Sequence, residues 1–172
     1  MPDFRGYLLR SMALAERVRI GRTRRSHFLY RFTLNIANRS FQPVRTRFDW
    51  LSRDAAEVDR FSADPFCGWV GTAQLWVDLT SLALEAWRPG NQRCIPRDLP
   101  ICLFAGTMDP VSDGCKQLIK LAGIYRRIGI RDVREMYYPG GRHEMLNEIN
   151  RDEVTSDLAA WLEGVRKRTA AL

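Results

Sequence analysis

The stretch from Leu99 to Glu148 constrains the fold more than any other part of the 172-residue chain. It opens with an apolar run, Leu99-Pro100-Ile101-Cys102-Leu103-Phe104-Ala105-Gly106, followed directly by Thr107-Met108-Asp109-Pro110. Short apolar runs bounded by glycine and proline are the pattern of strands buried inside parallel sheets. Val133 to Tyr138 reads as a second strand, and Asp113 to Ile128 between them has helical spacing. In a strand–helix–strand unit the crossover is right-handed and both strands point the same way, so their ends share one edge. Asp109 and His143 each sit just past such an end. The topology thus delivers a carboxylate and an imidazole to the rim where open α/β sheets place their chemistry.

The second strand runs into Pro139-Gly140-Gly141-Arg142-His143-Glu144-Met145-Leu146-Asn147-Glu148. With the Asp109-Pro110 step, this block resembles the last third of the lysophospholipase-like α/β hydrolases, the serine aminopeptidase-type group related to monoacylglycerol lipases. Arg45-Thr46-Arg47-Phe48-Asp49-Trp50-Leu51-Ser52-Arg53-Asp54 and Asp64-Pro65-Phe66-Cys67-Gly68 resemble the lid region of that group. The resemblance spans residues 38–162 and implies the C-terminal portion of an α/β-hydrolase fold, the last two parallel strands plus helices, preceded by helical lid elements. That family carries a Ser–Asp/Glu–His triad in this chain order. The resemblance therefore implies Asp109 as the triad acid and His143 as the base. It implies an acyl ester or lipid as substrate, with no cofactor and no metal.

A serine hydroxyl is a weak nucleophile until a neighbouring imidazole takes its proton. An aspartate on the other ring nitrogen fixes the tautomer and stabilises the imidazolium that forms. Asp109 and His143 suit those tasks, but no Gly-x-Ser-x-Gly occurs anywhere in the chain. Ser112, three residues after Asp109, reads as a helix cap, and Ser52 reads as a turn or cap residue. The expected function is that of a truncated ester-type serine hydrolase holding acid and base without a nucleophile, inert alone. The alternatives are a non-catalytic binding module and one half of a split hydrolase completed by another chain. Two parallel strands are marginal by themselves, and their open edges invite pairing with an N-terminal half or with a second copy.

Two regions follow, a helical lid-like part over residues 1–94 and a strand–helix–strand–helix core part over residues 95–172. Amphipathic helices are expected over Phe4–Ile20 and Ser26–Ala37, with an irregular segment from Asn38 to Asp49. A short helix is expected after an Asp54–Glu57 capping box. One long helix is expected from Cys67 to Arg88, ended by Pro89-Gly90-Asn91. Its tryptophans and leucines suit either an acyl-binding tunnel or ordinary packing. The last helix opens at Asn150 with Glu153 in capping-box spacing, and Val154, Leu158, Trp161, Leu162 and Val165 form the face that covers the sheet.

Charge is uneven: residues 1–47 hold eleven arginines against Asp3 and Glu16, within a net charge of +7. Interleaved apolar residues favour a solvated helix face there over a nucleic-acid or membrane surface or a presequence. His27, flanked by Arg24, Arg25 and Arg31, reads as a surface or packing residue. The four cysteines lack Cys-x-x-Cys spacing, which argues against a metal site. Neither an export signal nor a transmembrane run is visible, so the cytoplasm is the expected compartment.

Overall fold

The computed structural model describes residues 4–170. Helices α1 (Phe4–Ile20), α2 (His27–Ala37), α3 (Ala55–Ala63), α4 (Ala73–Ala86) and α5 (Pro89–Arg93) lead into β1 (Ile101–Gly106). Helix α6 (Lys116–Arg127), strand β2 (Val133–Tyr138) and helix α7 (Arg151–Ala170) complete the order. The two strands pair in parallel from Ile101 opposite Val133 to Gly106 opposite Tyr138. Among the described residues no helix is long and apolar enough to cross a membrane.

Three apolar clusters hold these elements. Ala13 of α1, Leu29 of α2 and Val77 of α4 meet in the first, with Leu9, Met12, Leu14 and Trp76 packed around them. Buried Glu16 ties α1 to α2, because it accepts from the Ser26 hydroxyl at 2.8 Å and from Nε and Nη2 of Arg19. Phe48, Leu51 and Val58 form the second cluster, flanked by Leu34, Trp50 and Phe61. Met145 and Val154 form the third with Tyr138, and Phe104, Met136 and Leu158 join it. Helix α7 thus covers the face of the strand pair that carries Phe104 and Met136. Arg24 and Arg25 are exposed, and so is His27 on the first turn of α2.

The expected helix over Cys67–Arg88 is shorter in the structure, Ala73–Ala86. The backbone of residues 71–74 is used elsewhere: Gly71 O accepts from Ser26 N, and Ala73 and Gln74 donate to Arg24 and Arg22. Thr72 then caps the helix by accepting from Leu75 N. Gly68 lies at φ +61° where a Cβ would strike the Phe48 ring, a position only glycine fills without strain. Pro89-Gly90-Asn91 does end α4, but these residues themselves open the short helix α5, with proline in the first turn where its missing N–H costs nothing.

Two smaller corrections concern helix starts. α6 begins at Lys116 because Asp113, Gly114 and Cys115 all take positive φ. Asn150 does not cap α7 in the expected way. Its Oδ1 accepts from Arg53 at 3.0 Å and its amide donates to Glu153, so it joins two elements rather than one helix end. Asp54 does cap α3, accepting from Ala56 N and Glu57 N.

Candidate active site

The ends of β1 and β2 are zipped together by backbone. Thr107 N donates to Tyr138 O at 3.0 Å, Met108 N donates to Gly141 O at 2.9 Å, and Gly140 N donates to the Thr107 hydroxyl. Bare backbone permits this approach, since a Cβ on Gly106 would lie 2.0 Å from the Gly141 carbonyl carbon. The two loops that leave the strands are therefore in direct contact, and each carries one of the expected site residues.

Asp109 is 5% exposed and sits in the turn after β1. Its carboxylate accepts from Val111 N at 2.9 Å and Ser112 N at 3.1 Å, so it caps the chain that climbs toward α6. His143 follows the Gly140-Gly141 turn after β2, with its Nδ1 2.9 Å from Asp109 Oδ1. Burial by itself pushes the Asp109 carboxyl up, but the bonds from His143, Val111 and Ser112 outweigh it and hold the group below its usual range. An ionised carboxylate only accepts, so Nδ1 is the protonated ring nitrogen facing it. In the neutral ring the second nitrogen, Nε2, is then the acceptor. The ring is 36% exposed, enough to be reached from outside.

The loop around His143 is fastened to the segment between α2 and α3. The Arg142 guanidinium donates to the carbonyls of Asp49 and Ser52 and lies 4.3 Å above the Phe41 ring. Glu144 N donates to Leu51 O at 2.8 Å. Fully buried Glu148 accepts from four groups: Arg53 N, Arg53 Nε, Arg142 N and Ile149 N. The Ser52 hydroxyl donates to Asn147 O at 2.7 Å. Trp50, in the middle of this segment, faces the imidazole with ring centroids 4.9 Å apart. Arg142 and Glu144 thus hold the loop in place.

Sequence reasoning singled out Asp109 and His143, and the structure brings them together. It missed Trp50, Arg53 and Glu148. Arg53 and Trp50 lie within the stretch that resembles a lid, about 90 residues before the loop they contact, and no local periodicity connects such distant positions. Neither serine near the site is free. Ser112 Oγ accepts from Cys115 N, and Ser52 Oγ accepts from Asp54 N while donating to Asn147 O. Among the described residues, no hydroxyl is hydrogen-bonded to His143, and no group of three or more His, Cys, Asp or Glu side chains gathers to hold a metal ion.

A highly thermostable carboxyl esterase from Bacillus coagulans, solved in complex with glycerol, matches with a TM-score of 0.80 at 21% identity, over 92% of this chain and 52% of that one. A lipase in its open form matches with a TM-score of 0.74 at 24% identity, over 92% of this chain and 51% of that one. A soluble variant of monoglyceride lipase from Saccharomyces cerevisiae, in complex with a substrate analogue, gives 0.51 at 21% identity, over 81% of this chain and 49% of that one. The chain spans about half the length of each of these hydrolases, so its two parallel strands and their helices are a partial α/β-hydrolase fold. The family model described as serine aminopeptidase, S33, matches residues 2–150. By its sequence, the chain belongs to the serine aminopeptidase S33 family of α/β hydrolases.

Proposed function

We propose that Asp109 and His143 are the acid and base of an ester-hydrolysing triad whose serine and oxyanion donors come from outside this chain. The 2.9 Å contact between His143 Nδ1 and Asp109 Oδ1, on loops leaving adjacent parallel strands, carries this reading. The chemistry requires a serine hydroxyl at His143 Nε2. The imidazole takes the hydroxyl proton as oxygen attacks the ester carbonyl, and returns it to the leaving alcohol when the tetrahedral intermediate collapses. Asp109 stabilises the imidazolium formed in between. The substrate class is an acyl ester or lipid. Residues 1–94 serve as a helical cap and residues 95–172 as the C-terminal part of the catalytic core. Four free cysteines suit a reducing compartment such as the cytoplasm.

Acting alone, the chain lacks the group that attacks. Among the described residues the sheet has two strands, and an edge open to further pairing supports completion by a second polypeptide or segment. A serine-reactive fluorophosphonate probe tests this directly. The isolated chain stays unlabelled; mixing with a polypeptide that carries the N-terminal sheet and Gly-x-Ser-x-Gly elbow of an S33 hydrolase produces labelling that His143→Ala abolishes. Labelling of the isolated chain, lost in His143→Ala, overturns the division of the triad between two segments.

A further inference from the structure

We infer that Trp50 is a positioning residue for His143, holding the imidazole against Asp109 so that the neutral ring keeps its proton on Nδ1. The inference rests on the acid–base reading above and extends it to a residue outside the triad. A single hydrogen bond fixes one ring atom and leaves the ring free to swing on its own torsion, since terminal sp³–sp² torsions are broad. His143 is 36% exposed, so its surroundings do not close around it on every side. The Trp50 indole supplies a wall, with centroids 4.9 Å apart and planes tilted by 36°.

The wall itself is anchored. Trp50 N donates to Oδ1 of Asn38 at 3.2 Å, and Asn38, buried at the end of α2, also donates to Leu34 O and Arg47 O. The indole packs against the Phe48–Leu51–Val58 cluster. Its Nε1–H is buried without an acceptor among the described residues. A buried donor left unpaired costs stability, so the N–H is not what places this side chain; its flat apolar face is. Phenylalanine keeps such a face and removes the unpaired donor, whereas leucine keeps bulk and loses the face.

Nitrogen-15 NMR of the histidine rings separates these roles, with spectra taken at about pH 9, above the ordinary histidine range. The wild-type chain is expected to show His143 as a single Nδ1–H tautomer and cross-relaxation between its ring protons and the Trp50 indole. Free histidine in the same buffer provides the pattern for comparison. Trp50→Leu loses the single-tautomer signature and moves His143 toward the free-histidine pattern; Trp50→Phe retains it. Oδ1 of Asp109 faces both Val111 N and His143 Nδ1 while Oδ2 takes Ser112 N, so Asp109→Ala removes the acceptor in front of the ring and His143 loses the single Nδ1–H signature. Should Asp109→Ala leave the tautomer unchanged, the acid–base pairing itself falls. Should Asp109→Ala remove the signature while Trp50→Leu does not, the pairing stands and the role of Trp50 is overturned. Absence of indole-to-imidazole cross-relaxation in the unaltered protein, or loss of the signature in Trp50→Phe, overturns it equally.

Discussion

Asp109 is held ionised by three donors, two of them backbone N–H groups that fold the chain toward α6. Burial opposes this and loses, leaving the carboxyl below its usual range in the folded chain. A group depressed on folding stabilises the native state fully above the unfolded aspartate value, about pH 4, and that contribution disappears as pH falls through the folded value. Urea midpoints measured across acid pH should therefore fall more steeply for the wild-type chain below about pH 4 than for Asp109→Asn. Parallel curves would show that the carboxylate carries no folding-linked charge. Both residues of this pair stood out in the sequence because they follow two expected strands and because the Asp109-Pro110 step and the Gly140-Gly141-Arg142-His143-Glu144 block resemble the hydrolase family. Trp50 did not, because its partner lies in another part of the fold and aromatic residues at helical or loop positions mark core as readily as site.

At the scale of elements, the site depends on two joints. The first is the contact of Gly106 with Gly141, where the strand ends meet without side chains. Gly106→Ala forces a methyl group onto the Gly141 carbonyl and should cost roughly 1–3 kcal/mol, the usual penalty for overpacking. Urea unfolding reads the cost, and His143 ring signals should report that the loops have parted. The second joint is Glu148. It is fully buried, whereas Arg53 keeps some contact with water. Removing the carboxylate in Glu148→Ala strands Arg53 Nε and the backbone donors of Arg53, Arg142 and Ile149, for an expected loss of about 2–3 kcal/mol in the same measurement. Neither joint could be read from local pattern. The glycines announced turns, which was right, but the tight approach they allow is a tertiary fact. The helix boundaries failed where the backbone was claimed by another segment, as at Gly71–Gln74, or driven to positive φ, as at Asp113–Cys115.

For the molecule as a whole, the parallel strand pair, its crossover helix and the covering helix followed from the spacing of apolar residues, while the joining of the helical layer to the His143 loop did not. Two strands leave open edges, and large apolar side chains stand exposed on α1 and α4, among them Phe4, Val18, Leu79 and Leu82. Surfaces of this kind drive association. Sedimentation velocity over a range of concentrations should show the isolated chain growing in mean mass as concentration rises, with the shift suppressed when a complementing N-terminal half is supplied. A constant monomer would mean that the exposed edge and faces are tolerated without a partner.

Asp109 and His143 are 34 positions apart, joined by a single crossover. Closing a loop of that length is entropically modest, and contacts between near neighbours along the chain form before distant ones. The couple is thus self-contained: one short stretch of the chain carries both partners and the crossover that brings them together.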